Sequence, residues 1–285
     1  MRLLTVIIDE KEQLAIKLGD SVTLVETINK TENRNFPIML NKLFIDNQLQ
    51  KLGDWYNQTS KEKLYSYPSL EIAAISYTAA SLQPGKILGV GMNYMETVME
   101  LSGKAPEEDP VTFMKPLTSL IGNNDTIMLP SVSNHVTAEG ELAIIIGKTC
   151  KDVSEQQAPA YVAGLTTAID VTAKDIHAAN PRYLQRSKSF DTFCSIGPEF
   201  ITLDECSDLQ SLQVETIHNG NVIHSNFVSN MMYSPWFIVS FFSQSMTLMP
   251  GDIILTGTPG SVSIKNGDQV GCSVSGMLSL KNKVE

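Results

Sequence analysis

Two glutamates separated by one glycine stand at the head of a strongly apolar run, Ala138-Glu-Gly-Glu-Leu-Ala-Ile-Ile-Ile-Gly147. The run predicts a strand, and in a strand residues i and i+2 point to the same face. Glu139 and Glu141 therefore aim both carboxylates at one point. Two anions on one face repel each other unless a cation lies between them. A hard divalent cation with oxygen ligands is the natural partner. Taken alone, the pair also reads as a solvated strand end. A second apolar run, Tyr161–Ile169, ends on Asp170 and is followed by the helix-like Ala173–Ala179. An Asp in that place is either a helix N-cap or a third ligand. Three carboxylates with water suit Mg²⁺ or Mn²⁺.

The rest of the chain predicts many strands and few helices. Short β-rich runs recur at Ile87–Val90, Thr112–Met114, Thr126–Leu129, Leu142–Ile146, Val214–His218 and Ile253–Thr256. Helical patterns are confined to Glu96–Leu101, Glu155–Tyr161, Ala173–Ala179 and Pro235–Ser245. That balance points to a mixed, β-rich α+β fold, not a doubly wound parallel one. Residues 1–80 differ: Leu3–Ile8, Leu14–Lys17 and Ser21–Leu24 read as short strands, and residues 36–65 as helical. They form a small N-terminal accessory domain in this reading. Turn chemistry in Tyr77–Lys86 marks the boundary to a catalytic domain over residues 86–285.

Charge and cysteine usage narrow the function. A net charge of −10 argues against nucleic acid and anionic membrane surfaces. The longest strongly apolar run, Trp236–Phe242, is far short of a membrane span. Cys150, Cys194, Cys206 and Cys272 are scattered, with no Cys-x-x-Cys pair, which suits reduced thiols and a cytoplasmic setting. The N-terminus reads as a first strand and not as a secretory signal.

Other residues could serve chemistry around the carboxylates. Lys115 follows an apolar strand, Lys174 lies one helical turn past Asp170, and Arg186 and Lys188 flank a short turn. Each alone reads as a surface charge; together they could hold a substrate carboxylate in an acidic protein. The turn Thr256-Gly-Thr-Pro-Gly260 offers hydroxyls and backbone N–H groups to an anion. It is no Walker sequence, because Gly-Lys-Ser/Thr does not follow. Gly89-Val-Gly91 follows a strand, but Tyr94 stands where a nicotinamide fingerprint needs its third glycine.

Taken in order, the blocks Ile87-Leu-Gly-Val-Gly-Met-Asn-Tyr94, Phe113-Met-Lys-Pro116, Glu139-Gly-Glu-Leu-Ala143, Asp170-Val-Thr-Ala-Lys-Asp175, Lys188-Ser-Phe-Asp-Thr192, Gly197-Pro198, Pro250-Gly-Asp252 and Thr256-Gly-Thr-Pro259 are recognisable. The chain resembles the fumarylacetoacetate hydrolase family over residues 86–285, especially its acylpyruvate hydrolase, oxaloacetate decarboxylase and hydroxymuconate isomerase-like members. The resemblance implies a mixed β-sandwich or roll core, usually in a homodimer. It implies Mg²⁺ or Mn²⁺ on Glu139, Glu141 and Asp170, with Lys188, Lys174 and His177 meeting substrate oxygens. Lys115, Thr256, Gly257 and Thr258 are expected on the substrate side.

This chain departs from the family pattern at three places. The family's lid carries a His and then a Glu after the Asn-Tyr pair; here those places are Thr97 and Glu100. Thr cannot serve as a general base near neutral pH. Lys174 stands where the family often has Arg, which removes bidentate geometry. His177 stands where the family has Gln. The resemblance implies a metal-dependent hydrolase cleaving a C–C bond in a small, acylpyruvate-like 2-oxo acid through an enolate, with Glu100, Lys188, Lys174 and His177 as catalytic residues. Oxaloacetate decarboxylase (a lyase), 2-hydroxymuconate-type isomerase and a catalytically degenerate 2-oxo acid binder are the alternatives.

Overall fold

A computed structural model of the chain describes residues 1–79, 83–96 and 109–285. Among these the backbone forms a fourteen-stranded main sheet and a five-stranded second sheet. The centre of the main sheet is an antiparallel pair, Val136–Ile146 and Val162–Ala173. Both strands run further than the sequence suggests. The glutamate pair and Asp170 therefore sit inside the ladder, not at its ends. Asp170 caps no helix: Ala173 precedes the helix Lys174–Ala179, and no side chain caps it.

Alternation on these strands separates two cores. Leu142, Ile144 and Ile146 pack on one face with Val214, Val270, Cys272 and Val274 of the second sheet. Ala143 and Ile145 face the other way, into a core shared with Leu40, Leu43, Phe44, Leu52 and Trp55. Glu139 and Glu141 have the parity of Ala143 and Ile145, so they point away from the second sheet. Gly140 points toward it. A Cβ there would lie 2.6 Å from the Glu215 carbonyl oxygen, and the Gly140 N–H donates to Thr216 Oγ1 at 3.0 Å. The glycine between the glutamates thus lets the second sheet settle directly on the strand that carries them.

The expected strands at the N-terminus form as Arg2–Ile8, Lys11–Leu18 and Ser21–Leu24. They join the main sheet: Arg2–Ile8 pairs antiparallel with Glu199–Thr202, which pairs with Val162–Ala173. The helical region resolves into Leu40–Ile45, Leu49–Gln58 and Lys61–Leu64, with a further helix at Val25–Glu32.

Several sequence-based expectations are corrected. The expected Glu155–Tyr161 helix is only a short 3₁₀ turn at Ala158–Tyr161, where Pro159 stands near its start. Strands at Cys194–Ile196, Glu199–Thr202, Asn221–Phe227, Ser261–Ile264, Gln269–Val274 and Leu280–Val284 were not expected from the sequence. The expected Glu96–Leu101 helix, with Thr97 and Glu100, lies almost wholly outside the described residues. The helix Pro235–Ser245 forms as expected. No helix among the described residues is long and apolar enough to cross a membrane. All four cysteines are free.

Gly140→Ala is expected to destabilise the fold by about 1–3 kcal/mol, the cost of overpacking a filled interface. Urea unfolding, read as a lower midpoint at unchanged slope, checks this.

Candidate metal centre

Glu139 and Asp170 are direct cross-strand partners, and Glu141 lies two residues further on the same face. One oxygen from each of the three carboxylates falls within 4.8 Å of the others. It is the one such cluster among the described residues. Glu141 and Asp170 are buried, and Glu139 is nearly so. Each is held by a different segment. The Gly257 N–H donates to Glu141 Oε2 at 2.6 Å. Lys188 Nζ contacts Asp170 Oδ2 directly and reaches Glu139 Oε2 at 3.3 Å. Lys115 Nζ lies 2.6 Å from Asp170 Oδ1.

Charge in this site does not balance. Three carboxylates face two buried ammonium groups, which leaves one negative charge over. The titration behaviour reflects that deficit. Burial pushes Glu141 well above the ordinary carboxylate range, and its neighbours Asp170 and Glu139 push it further. Burial also raises Glu139 and outweighs the pull of Lys188. Burial works against the Asp170 anion too, but Lys115 and Lys188 overcome it and hold this carboxyl below its usual value. Lys188 is raised: burial opposes its charge, and Asp170 and Glu139 more than restore it. A divalent cation fits the all-oxygen donor set, and it would turn the excess negative charge into a positive one that suits an anionic substrate. It would be held by Glu139, Glu141 and Asp170.

The triad forms the floor of a cavity of about 100 Å³. Its walls include Thr172, Lys174, His177, Lys188, Thr258 and Ser261, with Val90, Met92, Val111 and Leu184 as apolar cover. Wider clefts of about 370 and 520 Å³ lie elsewhere on the chain, and neither includes the carboxylate triad. Lys174 and His177 come from the helix Lys174–Ala179 that follows the Asp170 strand. Burial and the nearby Lys174 and Lys188 lower the His177 pKa, so the imidazole is neutral at pH 7.

Three expected substrate contacts lie elsewhere. Lys115 is wholly buried behind Asp170 and does not line the cavity. The Thr256 hydroxyl is spent on the Leu142 carbonyl at 2.8 Å. Gly257 gives its N–H to Glu141, with a φ of 97° and a Cβ position only 2.7 Å from Asn93. Thr258 does line the cavity, and its hydroxyl donates to the Gly260 carbonyl at 2.9 Å. Glu100 lies outside the described residues.

Other contributors carry no role in the sequence reading. Thr172 Oγ1 accepts from Lys188 Nζ at 2.8 Å; it is two residues past Asp170 on one strand, the same spacing that links the glutamates. The Phe113 ring lies under Lys188, 4.3 Å from Nζ to centroid. Gly89 makes room for that ring, since a Cβ there would sit 2.2 Å from it. Gly89 therefore serves packing, and Gly91 lines the cavity. Asn93, fully buried, donates to the Thr256 carbonyl at 2.7 Å and so holds the turn that binds Glu141.

With the geometry in place, comparison with known proteins is decisive. The fumarylacetoacetate (FAA) hydrolase C-terminal family matches residues 86–285. The chain belongs to the fumarylacetoacetate hydrolase family. The mitochondrial oxaloacetate tautomerase of Rattus norvegicus is 35% identical over 225 residues, covering 76% of this chain and 72% of the relative. The structure of 5-carboxymethyl-2-hydroxymuconate delta-isomerase from Mycobacterium smegmatis superposes with a TM-score of 0.77 at 32% identity, covering 100% of this chain and 98% of the other. Maleylpyruvate hydrolase from Sphingobium sp. SYK-6, solved with manganese(II) and pyruvate, gives a TM-score of 0.80 at 25% identity, covering 100% and 98%. Members of this family are enzymes, and the β-rich α+β fold is the family's.

Adding Mn²⁺ to about 100 times its Kd is expected to stabilise the protein by about 2.7 kcal/mol, read as a rise in Tm. Glu141→Gln is expected to lose that rise. Without Mn²⁺ the variant should melt no lower than the wild type, because an uncompensated buried anion has been removed.

Proposed function

We propose that this chain moves a proton between carbon and oxygen of a short 2-oxo acid, as an enol–keto tautomerase or double-bond isomerase working with Mg²⁺ or Mn²⁺. The observation that carries the reading is the buried triad with Lys188 bonded to two of its members on a small cavity floor. Hydrolysis stands first in the sequence-based expectation, and two considerations now place it second. The place of the family's lid histidine holds Thr97, which cannot activate water. Among relatives named for an activity, tautomerase and isomerase names stand at 30–37% identity and hydrolase names at 25–28%.

A bound divalent cation supplies Lewis-acid stabilisation of negative charge on the substrate's keto oxygen. The chain's own residues do the rest. The Lys188 ammonium turns its third proton from Glu139, 3.3 Å away, toward that oxygen, where charge develops. It is held in place by Thr172, Asp170 and the Phe113 ring. His177 is the one imidazole on the cavity wall among the described residues and is neutral. It accepts a proton from C3 of the keto form and returns it to the oxygen, which gives the enol; the reverse order gives the keto form. Lys174 offers a cation to a substrate carboxylate at the wall. Val90, Val111 and Leu184 keep bulk water from the reacting carbons.

The test follows enol absorbance of oxaloacetate, with acetylpyruvate in parallel, each with Mn²⁺ and with chelator. Enol–keto conversion that needs Mn²⁺ and outruns release of CO₂ or acetate supports the proposal. Product release at a rate equal to loss of the enol overturns it in favour of decarboxylation or hydrolysis. His177→Gln keeps a hydrogen-bonding side chain but cannot shuttle a proton. It is expected to lower kcat about 10²–10⁴-fold while leaving Mn²⁺ affinity unchanged.

A further inference from the structure

Lys115 ends the edge strand Val111–Lys115, and its side chain is completely buried. An ammonium carries three protons. Here three main-chain carbonyls receive them: Phe193 at 2.7 Å, Lys188 at 2.9 Å and Val171 at 3.0 Å. The fourth neighbour, Asp170 Oδ1 at 2.6 Å, is therefore an ionic contact. The other carboxylate oxygen, Oδ2, meets Lys188 Nζ, which in turn reaches Glu139 Oε2. The two oxygens of Asp170 are divided: Oδ1 faces Lys115, and Oδ2 lies on the side of the glutamates.

We propose that Lys115 is a positioning residue for the cation site: it pins Asp170 Oδ1, so that Asp170 offers one oxygen to the ion, and it fastens the backbone of Lys188 to the same strand. The inference rests on reading the triad as a cation site and adds how the ion is chosen. With Oδ1 pinned, Asp170 can offer an ion only Oδ2, through the lone pair that Lys188 leaves, and a monodentate carboxylate suits Mg²⁺ and Mn²⁺, which demand near-octahedral geometry. Ca²⁺ takes more oxygens and favours carboxylates that can turn bidentate. Lys115 thus biases the site against Ca²⁺ without touching ion or substrate. Arginine would not replace it, because a planar fork cannot serve three diverging carbonyls.

The experiment is calorimetric titration of the full-length protein and of Lys115→Met with Mn²⁺ and, separately, with Ca²⁺. The variant is expected to bind Mn²⁺ about ten- to a hundredfold more weakly, the usual effect of losing a residue that orients a ligand. Ca²⁺ affinity should fall much less, so the Mn²⁺-to-Ca²⁺ ratio drops. A role in folding alone would lower Tm and leave that ratio where it was, and an unchanged ratio overturns the proposal. A wild type that binds neither ion overturns the cation reading itself, a result distinct from an unchanged ratio. Since Lys115→Met can fail to fold, the wild-type lysine ammonium signals are also followed by NMR during Mg²⁺ titration. The Lys115 signal should be protected from exchange and shift with the calorimetric midpoint; a signal indifferent to Mg²⁺ overturns the proposal.

Discussion

Everything at this site depends on placing three carboxylates on one buried face of two paired strands. Burial of a lone carboxylate is costly, and removing one partner of a buried pair costs about 3–5 kcal/mol. The fold meets that cost from three directions. Lys188 comes from the turn after the helix Leu184–Ser187, Lys115 from the edge strand, and the Gly257 N–H from the turn after Ile253–Leu255. These segments are far apart in sequence and meet only because the sheet is complete. The site is therefore a product of the whole sheet and not of a local motif.

Close approach is the second requirement, and three glycines supply it. Gly140 admits the second sheet, Gly89 admits the Phe113 ring that backs Lys188, and Gly257 turns past Asn93 to present its N–H. A side chain at Gly89 or Gly257 would push a wall of the site outward, and one at Gly140 would lift the second sheet off the strand that carries the floor. Asn93 then locks the last of them, bonding the Thr256 carbonyl on one side and the Tyr233 backbone on the other. The packing that stabilises the fold is in this way the same packing that sets the positions of the charged groups.

The floor of the site was legible in the sequence because its rule is short. Residues i and i+2 on a strand share a face, and an apolar run fixes that face as buried. Glu139 and Glu141 follow from it, and from Asp170 the same rule reaches Thr172; Asp170 itself stays open between a helix cap and a ligand until the resemblance to the family chooses the ligand. Lys115 was legible as a charge but not as to side: nothing local shows that its ammonium turns inward to three carbonyls. The Thr256 and Gly257 groups looked free because their partners, Leu142 and Glu141, lie more than a hundred residues away. The strands missed after residue 190 lack a plain apolar alternation for different reasons: Asn221–Phe227 is mostly exposed, Leu280–Val284 buries a polar Asn282 at its centre, and others are buried on both faces. Cys194–Ile196, for instance, is buried at every position.

Floor and walls have different origins, and this bears on chemistry. The floor is built from strand pairing, where a change at one residue disturbs the ladder and both cores. Part of the wall comes from the short helix Lys174–Ala179 and from Leu184, which lie outside the sheet and can change with little effect on it. A floor that stabilises an oxyanion beside a carboxylate serves any reaction that passes through an enolate. Which reaction follows depends on where the next proton or water comes from, and that is decided by the walls. In this chain the wall offers His177, with Lys174 and Lys188 near enough to lower its pKa and Val90, Val111 and Leu184 among the other lining residues. The proposed proton transfer assigns that role to His177, the one imidazole among the lining residues of the cavity.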